Sequence, residues 1–152
     1  MGVVMFYHLT RSSAEQTARV LMGRALSQGW RIMIRGTSAA ELERLDSQLW
    51  LTPEDSFLPH GRQGGAQDAR QPVLLGTGPV TNGAKGLILI DGADVTEDEA
   101  RGLERVWVLF DAANPDQLAF ARSQWKRLTA AELPAQYWSE ETGKWEKKAE
   151  KA

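Results

Sequence analysis

The chain has 152 residues, of which 42% are hydrophobic and 25% charged, with a formal charge of −2 and no cysteine. That size suits one soluble globular domain burying roughly 70% of its unfolded surface, while the missing cysteine removes disulfides, thiol catalysis and Cys-ligated zinc and is compatible with a reducing cytoplasm. The slight acidity argues against nucleic-acid binding through an overall positive field, so any basic site is local.

The opening GVVMFYHLT is too short and interrupted for a signal peptide or membrane span, and no other apolar run approaches the ~20 residues of a bilayer crossing. Val3 to Leu9 is β-branched and aromatic, which predicts a strand. Ser12 or Ser13 then caps a helix carrying Ala14, Ala18, Leu21, Met22 and Ala25 on one face, and Gly29 ends it in the left-handed region. Trp30 to Arg35 reads as a second strand. Ser38 and Glu41 form an S-x-x-E capping box before a helix whose Leu42, Leu45 and Leu49 recur at i, i+3 and i+7. Trp50 follows that stripe, and Pro53, Pro59, Gly61, Gly64 and Gly65 mark a long loop between about 51 and 70.

Further strands are expected at Val73 to Gly76, Leu87 to Asp91 and Val106 to Asp111, the last two being apolar runs that suit central strands covered on both faces. Between them Val95 to Glu104 suits a short helix, with Thr96 as cap and Glu97, Asp98 and Glu99 at its positive end. Asn114 and Pro115 start a late helix whose Leu118, Ala121, Trp125 and Leu128 line the inward flank. The tail after Leu133-Pro134 carries Tyr137, Trp138 and Trp145; residues 1–148 read as a single domain and 149–152 as a frayed end. The alternation of strands and helices predicts a Rossmann-like, mostly parallel α/β sheet flanked by helices.

Such a sheet by itself specifies no activity. HLTRSSAE, after the first strand, has no glycine, and GTGPVTNGAKG matches neither G-x-G-x-x-G nor the Walker pattern; Gly76 to Gly86 reads as a hairpin or a disordered loop. His8 and His60 read as satisfied or solvated rather than as bases. The acidic runs at 97–101 and 140–141 read as solvated helix faces rather than metal ligands. Asp91 and Asp111 end central strands, where α/β sites gather, yet each suits a turn cap equally well. Ser56 lies in no G-x-S-x-G elbow. No catalytic group, metal or cofactor is expected.

Surface chemistry offers more. Arg122 and Lys126 lie four apart on the late helix and Trp125 three from Arg122, so two cations and an indole border one groove. An anionic peptide end tipped by an apolar residue suits it, through charge-assisted hydrogen bonds to the carboxylate and packing beside the indole. Spacing alone favours the plainer alternative, a core Trp125 and two solvated cations. Trp50 and Phe57 pose the same choice, although Phe57, in a polar loop, has less reason to be buried.

LERLDSQLW ending at Trp50, PEDSFLPH from Pro53 to His60, the strand LILIDG and the helix segment ARSQWKRL, in this order, resemble the chi subunit family of bacterial DNA polymerase III. The resemblance runs from FYHL at Phe6 to Leu9 through Trp145, with 61–85 poorly matched. It implies a non-catalytic accessory subunit of the clamp-loader assembly that links the polymerase to the acidic C-terminal tail of single-stranded-DNA-binding protein, and so meets DNA indirectly. Arg122, Trp125 and Lys126 match the family's R-x-x-aromatic-K tail-binding pattern, and Trp50 and Phe57 match aromatics of the surface that meets the psi subunit or a helicase. A family lysine one turn earlier has no counterpart in LAFA, Leu118 to Ala121; either the tail is held less tightly or Arg127 contributes. Two readings of other classes stand beside this one: a nucleotide-dependent enzyme using Asp91 or Asp111, and, weakest, direct single-strand binding through Trp138, Trp145 and the late lysines.

Overall fold

The computed structural model describes residues 2–50, 60–62 and 72–151. In chain order its elements are β1 (Val3–Leu9), α1 (Ala14–Ser27), β2 (Ile32–Arg35), α2 (Ala39–Trp50), β3 (His60–Arg62), β4 (Val73–Gly76), β5 (Gly86–Leu89), α3 (Glu97–Gly102), β6 (Arg105–Asp111), α4 (Pro115–Ala130), β7 (Ala135–Ser139) and β8 (Glu146–Lys151). The strands form one eight-stranded sheet in the order β3-β4-β2-β5-β6-β1-β7-β8. Every pairing is parallel except β7–β8, which gives the mixed α/β, mostly parallel architecture expected.

Period-two alternation divides the core between the two sheet faces. Val4, Phe6, Val106, Val108 and Phe110 face α3 and α4, meeting Ala100, Ala121 and Leu128. Met5, Leu9, Trp107 and Leu109 face the opposite way, with Leu21 and Met22 of α1 and Leu42 and Leu45 of α2. Helices on both sides explain why β2, β4 and β5 are buried along their whole length.

Local capping follows the side-chain chemistry. Ser13 and Gln16 close a reciprocal box on α1, and Gly29 at φ +80° turns the chain out of its far end. Thr96 and Glu99 box α3, and the Asn114 side-chain oxygen accepts the Asp116 and Gln117 N–H groups of α4 at 3.0 and 3.1 Å. The Ser38–Glu41 box is only half formed. Glu41 N–H donates to Ser38 Oγ at 3.4 Å, while its carboxylate turns to Arg44 at 2.8 Å.

Leu118, Ala121, Trp125 and Leu128 of α4 all face the core as expected, Leu118 and Trp125 only partly covered. Gln124 joins them, and tolerates burial because its amide donates to Ala93 O at 3.1 Å and Asp94 Oδ1 at 3.0 Å. Three expectations need correction. Gly76 to Gly86 is neither a hairpin nor disordered. It joins two strands that flank β2 in parallel, and Asn82 fastens it, donating to Ile32 O at 3.0 Å while its carbonyl accepts from Arg31 at 3.0 Å. Within the loop expected over 51–70, residues 60–62 form β3 and the rest lies outside the described residues. Where 149–152 was expected to fray, β8 continues to Lys151, paired with Ala135. Among the described residues no helix is long and apolar enough to cross a membrane.

Candidate functional site

The three predicted tail-binding residues come together on the flank of α4 nearest β7. Arg122 and Lys126 are exposed, and neither forms an ion pair among the described residues. Between them Trp125 is partly buried against the core. Its ring lies 5.4 Å from that of Phe6 at 66° and 6.2 Å from that of Tyr137 at 80°, edge-on to both. Burial raises the pKa of the Tyr137 phenol, with the nearby positive charge of Arg122 acting against it. The result is a cationic notch with an aromatic wall. Spacing alone favours a core Trp125; the indole is only partly buried.

The wall continues inward. His8 is buried, with Nδ1 3.1 Å from Ser139 Oγ and 3.4 Å from the exposed Glu141 carboxylate. Its ring stands 5.4 Å from Phe110 and 6.0 Å from Tyr137. Tyr137, Phe110 and Glu141 were not singled out as site residues. They join Trp125 only through the parallel register that sets Phe6 beside Tyr137 and His8 beside Phe110, which no single segment announces.

Arg127 is committed elsewhere. Its Nη1 and Nη2 donate to the Asp94 carboxylate at 2.9 and 2.8 Å, its Nε lies 2.7 Å from Glu97, and Nη2 also reaches Val95 O at 2.6 Å. Burial pushes the Asp94 carboxyl up, but hydrogen bonds from Arg127, Gln124 and Val95 outweigh it and hold the pKa at about 2. Arg127 therefore clamps α4 to the segment before α3. The suggestion that it replaces the absent lysine is corrected accordingly.

The second predicted surface is mostly out of view. Trp50 is the last residue of α2, which packs on β3 and β4 at the opposite end of the sheet from α4, and Phe57 lies outside the described residues.

The residues considered for nucleotide or metal chemistry are placed differently. Glu140 is 5% exposed; its Oε1 accepts the N–H groups of Thr10 at 3.1 Å, Arg11 at 2.7 Å and Ser12, and its Oε2 accepts the Ser12 hydroxyl at 2.9 Å. Burial raises its pKa, yet these donors prevail and the carboxyl sits below its ordinary range. The chain thus fills, with its own carboxylate, the turn between β1 and α1 where α/β sheets often hold phosphate. Glu140 and Glu141 are consequently turn residues with partners, not a solvated helix face. Asp111 accepts the Ala113 N–H at 2.8 Å as a turn cap. Asp91 has φ +52°, and burial, then the charge of Glu41, raises its pKa. Both border a hollow of about 230 Å³. Among the described residues no group of three or more His, Asp or Glu is arranged to hold a metal ion.

The fold is a mostly parallel α/β sheet with helices on both faces, and two exposed cations flank an aromatic cluster on α4. The chain belongs to the DNA polymerase III chi subunit (HolC) family, whose model matches residues 1–136. This family sets it among the replication accessory subunits of the polymerase III assembly. A comparison with curated proteins returns no match.

Proposed function

We propose that this chain is a non-catalytic, cytoplasmic accessory subunit of the polymerase III clamp-loader assembly that binds the acidic C-terminal tail of single-stranded-DNA-binding protein and tethers it to the replisome. The observation that carries the reading is the division of labour on α4. Arg127 is saturated by Asp94 and Glu97, whereas Arg122 and Lys126 are exposed without an ion pair on either side of Trp125. A terminal carboxylate would take charge-assisted hydrogen bonds from the two free cations, and the last apolar side chain would pack on Trp125 and Tyr137. In this reading the Rossmann-like sheet is a scaffold, and the Trp50–Phe57 region meets a psi subunit or a helicase.

Calorimetry with a tail peptide tests the assignment. Arg122→Ala removes a charged hydrogen-bond donor worth roughly 1.5 to 3 kcal/mol, so affinity should fall by tenfold or more. An unchanged dissociation constant would reject the site. Salt should weaken the complex, because exposed charges are screened. The nucleotide-dependent alternative draws no support from the β1–α1 turn, whose donors Glu140 already occupies.

A further inference from the structure

A second feature lies on the opposite face of β1 and β7 from the α4 notch. Beside α1 runs a trough of about 520 Å³, floored by Met5 and Tyr7 and walled by α1 on one side and Trp138 and Trp145 on the other. The two large apolar side chains exposed among the described residues, Val20 at 52% and Trp145 at 39%, both border it. The Trp145 ring leans on Tyr7 with centroids 5.0 Å apart at 38°. Trp138 Nε1 donates to Gln136 at 3.0 Å, so its polar edge is satisfied within the fold.

Cations stand at both ends of this aromatic floor. Arg105 opens β6 opposite Val3, and its Nε is buried without a hydrogen-bond partner. Arg24 of α1 lies close by: burial raises the Tyr7 phenol, and the charges of Arg24 and Arg105 both pull against it. Past the far end, in an adjoining hollow that shares Ser12 and Gln16 with the trough, stands Arg11, close enough that a Cβ on Gly143 would lie 3.7 Å from its Cζ. The seven residues of β1 between these ends span about 20 Å. None of the three arginine side chains forms an ion pair among the described residues. Of the three β8 lysines, Lys147 is tied to Glu150 at 3.0 Å and Lys148 to Glu146 at 3.2 Å.

We propose that this trough binds a short stretch of single-stranded DNA, with bases stacked on Trp145 and Tyr7 and phosphates held by Arg11 at one end and by Arg24 and Arg105 at the other. Every base has a π face, so stacking tolerates any sequence, and a cationic track beside aromatic rings is the general means of holding an unpaired strand. A duplex hides those faces. One peptide carboxylate would engage one end, whereas a chain of phosphates engages both. DNA rather than RNA follows from the family's place in DNA synthesis. Trp138 and Trp145 lie beyond residues 1–136, over which the family model matches.

Tryptophan fluorescence of the full chain, titrated with a short oligothymidylate, tests the proposal. Saturable quenching is expected, weakening about tenfold between about 50 and 200 mM salt as two or three counterions are released. Trp145→Ala and Arg24→Glu should each lower affinity by at least about fivefold, while Arg122→Ala leaves it unchanged. Both altered side chains are exposed, and a thermal melt checks that each variant folds. Absence of saturation, equal competition by duplex, or loss of binding in Arg122→Ala would overturn the assignment. So would preference for oligouridylate, or displacement by an acidic tail peptide in the Arg122→Ala protein, which would make the trough an RNA or a peptide site.

Discussion

Trp125 meets Phe6 edge-on, 5.4 Å between ring centroids, and thereby ties a surface flank of α4 to a fully buried residue of the central strand β1. The same indole serves stability and, on the proposed function, recognition. Trp125→Ala should cost about 2 to 3 kcal/mol in urea denaturation, less than a fully buried tryptophan because part of the ring is already solvated. Trp125→Phe should recover most of that stability and part of the tail affinity. A silent alanine variant would mean that the contact with Phe6 does not anchor the helix.

Lys126 and Arg127 are neighbours with opposite roles, and paired alanine variants should separate them. Arg127→Ala leaves Asp94 and Glu97 uncompensated; because these side chains are substantially exposed, the loss should be about 1 kcal/mol of stability, with tail affinity unaltered. Lys126→Ala should leave the melt within about 0.5 kcal/mol and weaken the tail several-fold. If Arg127→Ala were the variant that lost the peptide, the clamp assignment would fail.

Glu140→Ala should strip the partner from three backbone N–H groups and a hydroxyl in one turn, destabilising by about 2 to 3 kcal/mol. Inorganic phosphate should then raise the melting temperature of the variant saturably, because consecutive N–H groups before a helix favour an anion. Wild type should respond only to the general effect of salt. Equal responses in both would show that the turn is not held open as an anion cradle.

Stability should fall as pH drops from about 4 toward 2. Asp94, Glu99 and Glu140 all have folded pKa values below their ordinary ranges: Asp94 through hydrogen bonds that outweigh its burial, Glu99 chiefly through Arg35 at 2.7 Å, and Glu140 through the donors of the β1–α1 turn. A carboxylate lowered in this way contributes fully above its unfolded pKa and loses that contribution as pH falls through the folded one. Asp94→Asn should flatten the acid limb by about 1 kcal/mol after allowance for solvent screening. Denaturation curves at stepped pH would show whether the limb persists unchanged in that variant.

Much of the architecture was legible because its signals are local. Asn114-Pro115 starts α4, Thr96 and Glu99 box α3, Gly29 ends α1, and the apolar runs at 87–90 and 106–110 become buried central strands. The site was legible in part for the same reason: Arg122, Trp125 and Lys126 share one helical flank. What stayed hidden depends on contacts between distant segments. Glu140 reaches Ser12 across 128 positions, and Tyr137 joins the notch only because β7 pairs with β1. Gln124 is buried on α4 alongside Leu128 because Ala93 and Asp94 stand there as its partners, while Trp125 is only partly covered, which no periodicity encodes.

β8 ends the sheet with EKKAEK, exposed along its whole length and running against β7, with Lys147 paired to Glu150 and Lys148 to Glu146. A strand from another molecule trying to extend this border would have to strip water from alternating charges and break those pairs, with no apolar reward. Growth by strand addition is therefore blocked at the rim beside Trp145, and an exposed indole can stay available to a ligand without becoming a seam between copies of the protein.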